Sequence, residues 1–386
     1  MTNVSSNLAV NDFEISKFWE LEELPEISPL TKEERLCEEH FVNTTRRQED
    51  GRFIVSLPLR ENANQLGCSR HLALKRFYSL ERKLLQNSSL RDSYCNFMKE
   101  YEQLGHMSQI NPAHSQSSPI YYLPHHPVFK YESSSTKVRV VFDGSAQSDS
   151  TISLNEIQMV GPTIQRDLFS ILVRFRRFKY ALMADIAKMY RQVLVAPENR
   201  SLQRILWRTS PDDSIKEYEL NTVTYGTASA SFLAIRCLKQ LALDSKQIHP
   251  HTSSVIENDF YVDDLLTGSN TTSSLSQLRT ELTNILASAG FELRKWLSNN
   301  TSVLPIVEGD TSNTLTISDT AEIKTLGLSW DSLTDTFGYK NKTLSDTRIT
   351  KRTILSLIGQ LFDPLGFLSP IIIQLQSWIM QSLWQN

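Results

Sequence analysis

The 386 residues carry 40% hydrophobic and 22% charged side chains and a net charge of −3, ordinary for a globular protein of two or three structural units. No apolar run is long enough to span a bilayer, and the residues after Met1 lack the basic and apolar segments of a secretory signal. Cys37, Cys68, Cys95 and Cys237 are widely spaced with no Cys-x-x-Cys pair; this excludes a thiolate zinc site and predicts reduced thiols in an intracellular, cytoplasmic protein.

Residues 1–50 are acid-rich and weakly periodic, and predict a linker or docking arm with Phe18, Trp19 and Leu21 as anchors. Residues 51–118 predict a helical extension. Within it, 52–59 alternates in part and reads as a strand, while 69–86 and 90–104 have helical spacing and 111–118 is loop. The Pro/His/Tyr stretch 119–127 reads as extended. His125 and His126 have no Cys or third His nearby, so they are taken as structural rather than as metal ligands.

Strands and helices then alternate. Strands are predicted at 138–142, 180–185, 191–195 and 326–330, and helices at 166–177, 227–243 and 274–289. Apolar helices at 347–361 and 370–384 flank Asp363-Pro364-Leu365-Gly366. That order predicts an α+β domain with helices on one face of an antiparallel sheet. Residues 166–208 are rich in Arg and Lys. That density permits binding of a phosphate backbone, and the bland alternative is a face whose charges are paired to neighbours.

Phe260-Tyr261-Val262-Asp263-Asp264-Leu265-Leu266 sets two carboxylates inside an apolar, β-forming run. Asp is depleted from strands and costly to bury unpaired, so the pair is best placed at the tip of a hairpin and on a ligand. A hard divalent cation takes such oxygen donors. Two-metal phosphoryl transfer needs carboxylates from more than one strand, and Tyr180-Ala181-Leu182-Met183-Ala184-Asp185 supplies the third.

Tyr261-Val262-Asp263-Asp264 looks like the catalytic motif of reverse transcriptases, and Asp185 with Tyr190 resembles their first catalytic motif. Arg139 on the strand 137–142 resembles the fingers Arg, with Lys137 as a second phosphate contact. Val223-Thr224-Tyr225-Gly226-Thr227 resembles the motif under the templating base, although relatives carry Pro where this chain has Ser231. The run 289–296, with Lys295, and the run 326–330 resemble the motifs that follow. The flanks, among them Leu123-Pro124-His125-His126-Pro127, Val160-Gly161-Pro162-Thr163-Ile164-Gln165 and Phe362-Asp363-Pro364-Leu365-Gly366, look like the polyprotein of Bel/Pao-type LTR retrotransposons.

The resemblance implies a right-hand polymerase: fingers and palm over 119–335, and a partial helical thumb or connection over 336–386. It implies RNA-directed DNA polymerase activity, the two-metal transfer of nucleotides from dNTPs to a primer 3′-OH. Two Mg²⁺ ions, replaceable by Mn²⁺, would be held by Asp185, Asp263 and Asp264, with Lys295 donating a proton to pyrophosphate. Lys137, Arg139, Tyr190, Tyr225 and Gly226 form the implied nucleotide-binding set. The implied partners are an RNA or DNA template with its primer, and no membrane. The alternative is a catalytically silent retrotransposon remnant that binds nucleic acid or serves as a structural protein. In either case the chain reads as one segment of a longer polyprotein.

Overall fold

The computed structural model describes residues 30–110, 119–129, 138–304, 322–325, 328–338, 350, 352–353, 356 and 363–384. Helices and strands mix about an antiparallel sheet, as the α+β expectation requires, but helices cover both faces of that sheet and not the one face predicted. The central sheet has four antiparallel strands in the order Phe260–Tyr261, Asp264–Ser269, Tyr180–Ile186 and Leu293–Ser298. Tyr180–Ile186 is apolar up to Asp185 because both its faces are covered. Leu182, Ala184 and Ile186 enter the main core with Leu275, Leu278 and Leu282 of the helix Thr272–Ala287. Ala181 and Met183 face the other way, into a smaller core with Ile171, Phe175, Leu266, Leu297 and Trp330. Asp185 shares that second face, by the two-residue period of a strand.

The helix Leu168–Phe175 covers the second face, its first turn capped by Asp167, which accepts from Ser170 N–H at 2.9 Å. Leu328–Asp331 lies between Glu322–Thr325 and Thr336–Gly338 in a separate three-stranded sheet. Its Trp330 is fully buried, and the indole N–H donates to Asp335 Oδ1 at 3.0 Å. The described part of the strand predicted at 326–330 is thus one member of a three-stranded unit.

The successive helices Arg70–Leu85 and Ser88–Gln103 touch each other and pack on His125–Phe129 and Val138–Phe142, which are paired antiparallel. His125 is buried there. Its Nδ1 accepts from the Tyr94 hydroxyl, its Nε2 donates to Leu206 C=O at 2.9 Å, and its ring stacks on Tyr94. Both ring nitrogens have partners, so this histidine is a core residue. Burial pushes its pKa down to about 4, from an ordinary value of 6.5. A neutral His125 therefore contributes stability that is complete above pH 6.5 and is lost as the pH falls toward 4, since the unfolded chain takes up the proton first. An NMR titration of this ring is expected to show a midpoint near 4. A midpoint near 6.5 would contradict the burial.

Several expectations are corrected. The arm predicted over 1–50 contains a helix, Lys32–Thr44, which starts on a Thr31–Glu34 capping box and buries Cys37 and Phe41. Its acidic residues are engaged: Glu38 meets Arg236 at 2.8 Å and Glu33 meets Arg60 at 2.9 Å. The strand predicted at 52–59 is only Phe53–Val55, parallel to Leu194–Val195. The strand predicted at 191–195 is shortened at its start, where Arg191 and Gln192 end a short helix, Met189–Gln192, leaving Leu194–Val195 as the strand. The hairpin of Arg204–Trp207 with Lys216–Leu220 and the helix Pro250–Asn258 were not foreseen. The helix at 370–384 is present as Ser369–Trp384. Most of 347–361, the loop 111–118 and the anchors Phe18, Trp19 and Leu21 lie outside the described residues.

The basic stretch is largely paired. Arg174 meets Asp259, Arg176 meets Asp335, Lys188 meets Glu100, Arg204 meets Glu219 and Arg208 meets Glu81. Arg191 lies over the rings of Phe97 and Tyr101. These cations serve the fold, and their density in sequence overstates what they offer to phosphates.

Candidate functional site

Phe260–Tyr261 and Asp264–Ser269 are joined by only two residues, Val262 and Asp263, with Tyr261 opposite Asp264. Two-residue hairpins need a left-handed residue, normally Gly or Asn. Here it is Val262, at φ 56°, an uncommon state for a β-branched side chain. The turn is held from two sides. Ile186 N–H donates to Asp263 C=O at 2.8 Å, and Val262 N–H donates to Gln165 Oε1 at 3.1 Å.

Across the sheet Asp264 stands directly opposite Asp185. Directly opposed residues of an antiparallel pair project from the same face, and like charges so placed oppose folding. Burial, and then the Asp185 charge, hold the Asp263 carboxyl above the usual carboxylate range. The Asp264 carboxyl is pushed up to about 7 by burial and by the charges of Asp263 and Asp185. Three acids therefore sit within each other's field at one end of the central sheet.

Lys295 moderates that field. Leu293–Ser298 pairs with Tyr180–Ile186 through a bulge between Arg294 and Leu297, so that Lys295 and Trp296 oppose Ala184 alone. Lys295 has φ 53°, and its Nζ lies 2.6 Å from Asp185 Oδ2. Arg139 is exposed on its strand, and its charge lowers the pKa of both Asp263 and Tyr225, which puts it on the same side. The structure thus brings Asp185, Asp263, Asp264, Lys295 and Arg139 to one region.

The rest of the predicted set is placed differently. Tyr225 donates its hydroxyl to Val140 C=O and packs against Phe142. Gly226 has φ 98°, and a Cβ there would come within 2.3 Å of Phe142 O, so only glycine fits that approach. Both residues brace the strand that carries Arg139. Asn155, which the sequence did not single out, ties the same loop by donating to Gly226 C=O and accepting from Ala228 N–H. Tyr190 is half-buried on the short helix after Asp185, its hydroxyl 3.2 Å from Ser231 Oγ. Lys137 lies outside the described residues.

The donor set fits a hard divalent cation in chemistry: the ligands are all oxygen, and their repulsion is what a cation would relieve. Among the described residues, no three His, Cys, Asp or Glu side chains converge closely enough to define a metal centre as they stand. Among them too, no helix is long and apolar enough to cross a membrane.

No curated protein matches this chain. A crystal structure of a prototype foamy virus protease-reverse transcriptase mutant aligns with 54% of it at 18% identity, with a TM-score of 0.41; the aligned part is 24% of that chain. This chain thus spans about a quarter of the length of that structure. Residues 350–386 match the family model described as a Pao retrotransposon-like RNaseH-like domain. That match, on a chain whose motifs and flanks resemble the same elements, supports kinship with a Bel/Pao-type retrotransposon polyprotein.

Proposed function

We propose that this chain carries an RNA-directed DNA polymerase site, with the central sheet as palm and the paired strands His125–Phe129 and Val138–Phe142 in the fingers. One observation carries the proposal: an acidic pair in direct register, Asp185 and Asp264, joined by Asp263 at the tip of a strained hairpin. Folding alone does not favour such an arrangement, and a bound cation accounts for it. Asp185 and Asp263 would be the main ligands. Asp264, whose pKa lies at about 7, would be the weaker one.

In the proposed reaction the primer 3′-oxygen attacks the α-phosphorus of a dNTP. A new O–P bond forms, the α–β bridging bond breaks, and pyrophosphate leaves. Mg²⁺, or Mn²⁺ in its place, supplies charge neutralisation at the reacting oxygens when bound. Arg139 would steady the triphosphate. Lys295, held beside Asp185, would give a proton to the departing pyrophosphate. The RNaseH-like description of the matching family model says nothing about this sheet, because the match begins at residue 350.

The second reading is a silent remnant that binds nucleic acid or serves as a structural protein. Titration with Mn²⁺, followed by electron paramagnetic resonance in the presence of dTTP, separates the two. The polymerase site is expected to take up two ions per chain, against none for the remnant.

Tyr190 sets a further expectation. A ring beneath the nucleotide sugar excludes a 2′-hydroxyl by steric conflict. Tyr190→Ala is expected to raise incorporation of UTP relative to dTTP while dTTP use stays measurable. If Tyr190 serves only the core and Ser231, the change costs roughly 3 kcal/mol of stability and leaves the ratio as it was.

A further inference from the structure

Residues 165–174 touch the Asp hairpin, and the helix end that leads into it, at three places. Arg174 Nε lies 2.8 Å from Asp259 Oδ1, and Arg166 Nε donates to Asn258 Oδ1 at 3.1 Å. Both contacts hold the stem where the hairpin begins. The third, Val262 N–H to Gln165 Oε1 at 3.1 Å, holds the turn itself. The sequence marked Gln165 only as the end of a flanking stretch and assigned it no role.

A left-handed backbone costs a non-glycine residue on the order of 1–2 kcal/mol, and it persists only where its surroundings over-determine it. At Val262 those surroundings are two bonds to other elements, Ile186 N–H on Asp263 C=O at 2.8 Å and the Gln165 amide on Val262 N–H at 3.1 Å, beside a side chain partly packed on the core. The strand pairing registers Tyr261 with Asp264 and leaves Val262 and Asp263 outside the ladder, so Val262 N–H takes its partner from another element. If that turn relaxes, the peptide plane between Val262 and Asp263 rotates, and the Asp263 carboxylate moves with it.

The Gln165 amide is well placed to prevent this because its own loop is held at both ends. Gly161, at φ 83°, passes so close to the Phe232 ring that a Cβ would meet it at 2.3 Å. Pro162 is buried, and Asp167 starts the next helix with a capping bond at 2.9 Å. Gln165 is therefore fixed between a packed glycine turn and a helix start.

We infer that Gln165 is a positioning residue: its amide oxygen locks the left-handed turn at Val262 and so sets where the Asp263 carboxylate points. This rests on the polymerase reading only in taking Asp263 as a ligand. Gln165→Met keeps the side-chain length and removes the acceptor, whereas Gln165→Glu keeps an acceptor oxygen.

The test reads amide hydrogen exchange at Val262 together with primer extension on poly(rA)/oligo(dT) with dTTP and Mg²⁺. Gln165→Met is expected to speed that exchange about tenfold and to lower kcat by a similar factor, with KM for dTTP within about twofold of wild type. Gln165→Glu should keep the exchange slow. Glycine adopts the left-handed state without strain, so in a Val262→Gly background Gln165→Met should change kcat by less than about twofold. Unchanged exchange at Val262 in Gln165→Met, or an equal loss of kcat in both backgrounds, would overturn the inference. If wild type extends no primer, the polymerase reading fails, and the exchange rates still decide whether Gln165 holds the turn.

Discussion

Asp185→Asn and Asp263→Asn are each expected to reduce primer extension about a thousandfold or more. Either change removes a formal charge from the site proposed to hold two dications, and metal stabilisation of a phosphoryl transition state amounts to several kcal/mol. Template–primer binding should survive in both, because carboxylates are not the groups that hold backbone phosphates. Asp264→Asn should lose less. Its carboxyl titrates at about 7, pushed there by burial and by its acidic neighbours, so near neutrality it already carries a proton part of the time. The same shift fixes the sign of the stability effect. A carboxyl whose folded pKa is raised destabilises the fold at neutral pH, and the loss recedes as pH falls through about 7. Without added metal, Asp264→Asn is therefore expected to melt above wild type, trading activity for stability. Near-wild-type extension by both Asp185→Asn and Asp263→Asn would contradict the site.

The second large effect is expected at the root of the hairpin. Asp259 is 1% exposed, and it accepts from Arg174 and, at 2.8 Å, from the Thr267 hydroxyl. Burial raises its pKa against the pull of Arg174. Arg174→Met leaves that carboxylate buried with only the hydroxyl. Breaking a buried ion pair typically costs 3–5 kcal/mol, and Arg174 is itself 34% exposed, which places the expected loss near the lower figure, about 3 kcal/mol. The deficit should depend on pH. With Arg174 gone the Asp259 carboxyl rises further, so the folded state takes up a proton that the unfolded chain does not. Denaturant unfolding of the variant should show the larger deficit at pH 8 and a smaller one at pH 5.5. A deficit that does not change with pH would mean that Asp259 is not the group left unpaired.

The sheet was legible where burial leaves few choices. Tyr180–Ile186 has both faces covered, so it is apolar until Asp185 interrupts it, and two acids in the next apolar run had no structural excuse. What escaped was set by register and by single distant bonds. The aim of Lys295 comes from a bulge of one residue, which no residue pattern announces. The role of Gln165 rests on one bond, from a backbone N–H to its side-chain oxygen, across 97 positions. The strand Arg204–Trp207 was hidden because Arg204 is buried against Glu219 and breaks the apolar pattern. The helix Lys32–Thr44 was hidden because its mostly polar run exposes only Cys37 and Phe41 as core residues to be read. The charge of the 166–208 stretch misled for a related reason: its partners, such as Glu81, Glu100 and Asp335, lie far away in sequence.

Primer extension tests the carboxylate site most directly. Purified chain, poly(rA) primed with oligo(dT), dTTP and Mg²⁺ should give stepwise addition of nucleotides that stops when EDTA removes the metal and is absent in Asp185→Asn. Template–primer that is bound but never extended, in Mg²⁺ and in Mn²⁺ alike, would contradict it.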